Sequence, residues 1–159
     1  MTDTYLTMME ESLDRKIGVL EQIKKLNEQQ KAILENKEVQ DTEAFDKTVD
    51  EKEGLVEEIV KLNDGFDSLY DHVKEELNDH KDAYRDKIKR MQEKIKQVTE
   101  LSNTIEAGEN RNRRLAESFF AGARESLGGN AKSANAAINY YRNMSKSNFY
   151  DPQFMDKKN

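Results

Sequence analysis

The residues of this chain best suited to chemistry are its two histidines, His72 and His80, which lie two helical turns apart with Glu76 between them. Imidazole and carboxylate groups on one helix face can bind a metal ion. Helical bundles that bind two metal ions need further inward carboxylates, usually in Glu-x-x-His pairs, and the sequence contains no such pair. We therefore expect no metal site and interpret His80 as a partly buried bundle residue.

Nucleophilic and phosphate-transfer chemistry also lack the residues they need. The sequence has no cysteine, no glycine-rich phosphate loop and no hydrolase-type nucleophile motif. Its acidic residues alternate with lysines, as in Asp86-Lys87 and Glu93-Lys94, which is typical of solvated helix faces. The basic run at 87–96 is interpreted in the same way. We predict that the chain is not an enzyme and uses no cofactor.

The elements that carry these residues are predicted from composition and periodicity. Only 35% of the chain is apolar and 36% is charged, with a single proline and a mean hydropathy of −1.00. This composition is typical of an elongated helical bundle or coiled coil. No run of about 18 apolar residues occurs, so we expect no membrane insertion.

Charge and cysteine usage limit the partners and the compartment. The first 80 residues carry 22 acidic and 10 basic residues, a net charge of −12, which would repel nucleic acid phosphate. The N-terminus lacks the basic start and apolar core of a secretory signal. The absence of cysteine agrees with a cytoplasmic location. We expect a cytoplasmic protein that does not bind nucleic acid.

Apolar residues at three- and four-residue steps predict an all-α fold, an elongated antiparallel three-helix bundle or coiled coil. Asn27 and Gln30 interrupt the stripe of the first helix, either as buried register-setting amides, which we favour, or as solvent-facing groups. Asp41 or Thr42 is suited to cap the second helix. The predicted helices span about 3–36, 42–64 and 67–127, forming one bundle domain at 1–127 that is followed by a flexible tail at 128–159.

The boundary between the second and third helices rests on Asn63-Asp64-Gly65. A glycine after two polar residues suits a helix C-terminus, and glycine inside an exposed helix costs about 1 kcal/mol relative to alanine. Against a turn, the apolar stripe continues in phase through Phe66 and Val73. We favour a turn at Gly65.

The predicted lengths leave part of the third helix without a neighbour. At 1.5 Å per residue the three helices are roughly 50, 33 and 90 Å long. About 40 Å at the C-terminal end of the third helix would then project past the bundle. Its apolar stripe between Val98 and Leu127 would need a cover from elsewhere.

We predict that this projecting stripe is the functional site. The cover is either a second copy in a coiled-coil seam or the amphipathic helix of another protein. Phe119 and Phe120 point about 100° apart on a helix, which is too broad for one narrow seam and favours a different protein. Asn110, Asn112 and the neighbouring arginines could hold that partner in register. The predicted partner-binding residues are Leu101, Ile105, Asn112, Leu115, Phe119, Phe120 and Leu127.

The layout and several short motifs resemble the flagellar export chaperones of the FlgN type. The second helix carries Asp50-Glu51-Lys52-Glu53-Gly54-Leu55 near its start, and the third carries Asn112-Arg113-Arg114-Leu115, preceded by Asn110. The tail has Tyr140-Tyr141 and then Phe154-Met155-Asp156-Lys157-Lys158, similar to the aromatic, aspartate and basic ending of clostridial-type members. The resemblance covers most of the chain.

This resemblance implies a cytoplasmic secretion chaperone that binds the amphipathic C-terminal helix of hook–filament junction proteins and prevents premature assembly. Asn112, Leu115 and Phe119 would contact that helix, and Tyr140 or Tyr141 would contact a component of the export gate. The glycine that follows this tyrosine in the family is replaced here by Arg142. The free protein would be a monomer or weak dimer. The alternatives are a chaperone for the filament cap protein and a structural coiled-coil homodimer.

Overall fold

The computed structural model describes residues 1–127, with side chains described for 1–121. Within that part the chain is helical apart from short connections, and its three long helices form a bundle, which confirms the predicted three-helix bundle. The tail at 128–159 lies outside the described residues. The elements are α1 (Thr2–Glu35), α2 (Thr42–Asp79), a 3-10 turn (Lys81–Tyr84) and α3 (Arg85–Leu127).

The helices run up, down and up, so α1 and α3 are parallel and α2 is antiparallel to both. Helix α1 packs closely against each of the other two. Over the described residues, no Cα atom of α2 lies within 8 Å of one in α3. The space between α2 and α3 is bridged by side chains, including the Phe45 ring, which contacts Phe120.

The short connection between α1 and α2 forms as the sequence predicts. Helix α1 ends at Glu35, one residue before the predicted end, and α2 begins at Thr42. The Asp41 side chain accepts a hydrogen bond from the Ala44 backbone N–H at 2.9 Å. This bond satisfies one of the free N–H groups that every helix start exposes.

The predicted turn at Gly65 is wrong, because α2 continues as a helix to Asp79. Inward-facing residues follow steps of four and three without a break from Phe45 to Leu77, which is the repeat of a coiled-coil seam. Asn63 is one of them, and its Oδ1 accepts a hydrogen bond from Lys16 Nζ at 2.6 Å. Gly65 lies on the exposed outer face of the helix, so its presence weakens α2 slightly without ending it.

The reversal of the chain instead occurs after Asp79, in a polar segment without glycine or proline. The His80 backbone N–H donates to the Glu76 carbonyl at 3.0 Å and ends α2. Ala83 N–H then donates to the His80 carbonyl at 3.1 Å, which starts the 3-10 turn. The second helix is therefore longer than predicted and the third is shorter.

This shift of the boundary removes the predicted projection of the third helix. The helices contain 34, 38 and 43 residues, so they are roughly 51, 57 and 65 Å long and nearly matched. Ala116 and Phe120 near the end of α3 are packed against Leu34 and Phe45. The apolar stripe of α3 is thus covered by α1 and α2 of the same chain through at least Phe120.

Ion pairs fix α1 against α3 in parallel register. Lys87 lies 3.5 Å from Asp3, and the Arg90 guanidinium lies 3.0 Å from Glu10. Lys94 contacts Glu10 at 2.9 Å. The hydrogen bond from Arg90 holds the pKa of Glu10 below its usual value. Part of the basic run at 87–96 therefore pairs with acids of α1.

Gly65→Ala is expected to raise the free energy of unfolding by about 1 kcal/mol, because alanine favours the helix and an added Cβ meets nothing within 4 Å. Urea unfolding followed by circular dichroism measures this change. Gly108→Ala is the comparison, since its Cβ would lie 3.1 Å from Asn27 Nδ2 and the gain should be lost there. Destabilisation by Gly65→Ala would indicate a left-handed turn residue and contradict the continuous helix.

Candidate functional site

The predicted partner-binding residues from Leu101 to Phe120 lie inside the bundle. Within the described side chains, Leu101 and Leu115 are half-buried and the others are buried. The premise that this stripe is uncovered is therefore wrong, because the chain reverses at His80 and not at Gly65, so the last turns of α3 lie level with Leu34 and Phe45. The buried members are Ile105, Asn112, Phe119 and Phe120.

Three further predicted residues fall outside the described side chains. The Leu127 side chain lies outside the described side chains, although its backbone ends α3. Tyr140 and Tyr141, predicted to contact the export gate, lie outside the described residues.

The aromatic residues at the end of α3 belong to a separate apolar cluster, which we call the end cluster. Phe45 from α2 and Phe120 from α3 meet edge to face, with ring centroids 5.3 Å apart at 75°. Phe119 contacts Phe120 in the same way, at 5.2 Å and 89°. Edge-to-face pairs of this kind add to the stabilisation from apolar burial. The end cluster consists of Leu34, Phe45, Val49, Ala116, Phe119 and Phe120.

Directly below the end cluster, polar side chains from all three helices are buried in one layer. The Gln30 amide is its centre: Oε1 accepts from Lys52 Nζ at 2.9 Å and from Asn112 Nδ2 at 3.2 Å. Gln30 Nε2 donates to Thr48 Oγ1 at 3.0 Å. Lys52 also forms an ion pair with Glu109. We call Gln30, Thr48, Lys52, Glu109 and Asn112 the polar layer.

Within the polar layer, the Lys52 ammonium group is the one whose burial costs the most free energy. Its side chain is 0% exposed, and the Glu109 side chain is 9% exposed. Burial lowers the pKa of Lys52 to about 8, against the opposing pull of Glu109, and the nearby Arg111 lowers it further. The layer therefore holds a charge that water would solvate better, balanced by one carboxylate and one amide oxygen.

Asn112 and Arg111, predicted to hold a partner in register, instead hold α3 against α1. Asn112 Nδ2 donates to the Asn27 carbonyl at 2.9 Å. Arg111 donates to the same carbonyl at 3.3 Å and lies 3.3 Å from Glu28. The buried Gln30 amide bonds to Lys52 and to Asn112, which fits its predicted role in setting the register of the helices. The Asn27 side-chain amide has no hydrogen-bond partner among the described residues.

Charged residues occupy inward positions of the helices, which was not predicted from the sequence. None of Lys16, Lys52 and Glu109 was predicted to lie inside the bundle, yet all three are buried. The available signal was their spacing, because each occupies an inward position of a four-three repeat, and the two lysines lie between apolar residues of that repeat. For example, Lys52 lies between Val49 and Val56 on α2.

The two histidines lie far from this layer and face solvent. His72 stacks on Tyr5 with ring centroids 5.5 Å apart, and its Nδ1 is 2.8 Å from the Ser68 carbonyl. His80 is exposed, which differs from the partly buried position predicted, and its Nε2 is 3.9 Å from Glu76. Among the described residues, no three His, Cys, Asp or Glu side chains converge in a geometry that could hold a metal ion.

The pH dependence of stability should report the buried state of Lys52. Below pH 8 the proton is bound in both the folded and unfolded states, so the penalty for burying the charge is complete. Between about pH 8 and 10.5 the unfolded chain holds more protons than the folded one, so stability rises with pH, by up to about 3 kcal/mol.

Urea titrations from pH 7 to 10.5 on wild type and Lys52→Met measure this effect. The difference between the two proteins isolates Lys52, since other lysines and tyrosines titrate in both. A difference that does not change with pH would contradict the buried ammonium group.

The fold and the site define this chain as an all-α three-helix bundle with a buried polar layer below an aromatic end cluster. No helix within residues 1–127 has an apolar stretch long enough to cross a membrane. Compared with known proteins, the chain matches no family model, no curated protein sequence and no solved structure.

Proposed function

We propose that this chain is a non-catalytic export chaperone, as the resemblance to the FlgN type implies. Its client is the amphipathic C-terminal helix of flagellar hook–filament junction proteins, held in the cytoplasm before secretion. Release follows contact of Tyr140 or Tyr141 with the export gate. Binding alone performs this role, because covering the client's apolar stripe keeps that segment from assembling.

The observation that carries this proposal is the isolation of the end cluster from most of the core. Buried apolar residues of the end cluster contact one another across α1, α2 and α3, and the polar layer lies beneath them. The final turns of α3 can therefore release from Leu34 and Phe45 while the contacts at the other end of the bundle remain. Release exposes Leu115, Phe119 and Phe120 to a client helix.

Binding of the client to α3 competes with the packing of α3 on its own chain. In the closed state the apolar face of α3 packs on its own chain, and in the open state it packs on the client. The apparent affinity is reduced by the fraction of molecules that are closed. A change that weakens only the closed state should therefore tighten client binding.

Isothermal titration of the full chain with a peptide of the junction protein's C-terminal helix tests the proposal. We expect a one-to-one complex whose affinity rises at least tenfold in Phe45→Ala, because Phe45 holds α3 closed without touching the client. Phe119→Ala should weaken binding, since it removes a client contact. Val73→Ala, at the other end of the bundle, is the control and should leave the affinity unchanged.

The remaining outcomes decide against the proposal. Weaker binding in Phe45→Ala would mean that α1 and α2, not α3, receive the client. Binding of a filament cap peptide in preference to the junction peptide would favour the related cap chaperone. No binding, together with a dimer that dissociates in Phe119→Ala, would indicate a coiled-coil homodimer.

A further inference from the structure

The buried polar groups divide the hydrophobic core along the length of the bundle. One apolar cluster occupies the end where α2 meets α3, and a second occupies the middle around Ile23, Ile59 and Ile105. The end cluster is the third, and the half-buried Val56 is the residue that packs against both it and the middle cluster. Between these two clusters lies the polar layer.

The polar layer differs from the buried contact between Lys16 and Asn63. That contact joins α1 to α2, at 2.6 Å. The polar layer includes side chains of all three helices, with Gln30 from α1, Lys52 from α2 and Glu109 from α3. It therefore interrupts apolar packing across the whole cross-section of the bundle.

Separating the helices at the polar layer costs less free energy than separating them within an apolar cluster. Separating α2 from α3 there returns Lys52 and Glu109 to water, which recovers the free energy that was lost when their charges were desolvated. Separating an apolar cluster exposes surface to water and recovers nothing comparable. Packing within a cluster also makes its members open together.

We propose that the polar layer divides the bundle into two units that open separately, the end unit at 31–51 and 110–121 and the remainder. The end unit opens first and reversibly, while the middle cluster and the cluster at the opposite end stay packed. The Lys52–Glu109 pair sets the position of this boundary. The division is a property of the free chain and does not depend on a client.

Native-state hydrogen exchange of the full chain, read residue by residue by NMR, tests this division. Amides at 45–50 and 113–120 should share one opening and exchange at least tenfold faster than those at 13–23, 59–73 and 91–105. Low concentrations of guanidinium should leave the two groups distinct until global unfolding takes over. A single opening shared by all protected amides would overturn the proposal.

A double substitution tests the role of the ion pair itself. In Lys52→Met with Glu109→Met the layer loses both charges and keeps only the neutral groups of Gln30, Thr48 and Asn112. Exchange in the end unit should then slow at least tenfold, toward the rate of the remainder. Lys16→Met with Asn63→Leu is the matched control and should leave the two groups distinct. If the first variant does not fold, Glu109→Gln serves instead: it should speed exchange in the end unit at low denaturant, while the remainder changes only as far as the global stability falls. Exchange in the end unit that neither variant changes would contradict the boundary.

Discussion

Glu109→Gln is expected to lower the free energy of unfolding at pH 7 by about 1 to 2 kcal/mol, because it leaves the Lys52 charge, whose pKa is already lowered to about 8, without its carboxylate. Lys52 is 0% exposed, so water cannot replace the lost partner without opening the bundle. The Gln30 oxygen at 2.9 Å remains, but a neutral acceptor stabilises an ammonium group less than a carboxylate does. Loss of the proton from Lys52 limits the penalty.

Urea unfolding followed by circular dichroism measures this loss. Glu106→Gln is the matched control, an exposed residue one turn earlier on α3, and it should change stability by less than about 0.5 kcal/mol. The double variant Lys52→Met with Glu109→Met should return to the wild-type value or exceed it, since replacing a buried ion pair with apolar groups is often neutral or stabilising. Equal effects of Glu109→Gln and Glu106→Gln would contradict the buried pair.

Phe45→Ala is expected to lower the free energy of unfolding by about 3 to 5 kcal/mol, since it removes the one aromatic ring that α2 contributes to the end cluster. Phe45 is 0% exposed and its ring contacts both Phe119 and Phe120. The cavity left behind is bounded by helices that cannot collapse fully, so the loss exceeds the transfer free energy of the ring alone.

The same unfolding experiment measures this second effect. Val39→Ala is the control, because Val39 is 60% exposed in the loop that precedes Phe45 and should cost less than about 0.5 kcal/mol. A loss below about 1 kcal/mol in Phe45→Ala would mean that the rings do not pack together and that α3 stands away from α2.

Much of the fold could be predicted because local patterns carry it. The stripe of α1 and the Asp41 cap gave the first helix and the start of the second nearly to the residue. The chain reversal at His80 could not be found in this way. Leu77, Tyr84 and Met91 are seven residues apart, so the apolar period passes through the true turn as smoothly as through Gly65.

Because a turn was predicted at Gly65, the candidate site was placed on the surface, although its residues up to Phe120 lie in the core. With a turn at Gly65, the last turns of α3 would extend past the start of α2, and Phe119 and Phe120 were taken to be uncovered. The burial of Lys52 could not be inferred from residue type, since isolated lysine is almost never fully buried. Its partner, Glu109, lies 57 positions away in the sequence, and only the tertiary register brings the two together.

In the free chain, the last turns of α3 pack on α1 and α2 above the polar layer, and no other protein is needed to cover them. The most direct measurement is nuclear Overhauser contact between the ring protons of Phe45 and those of Phe120 in the monomeric protein with labelled phenylalanine. The closed bundle predicts strong cross peaks, because the ring centroids are 5.3 Å apart. A monomer with no such cross peaks, in which Phe119 and Phe120 behave as exposed residues of a projecting helix, would contradict it.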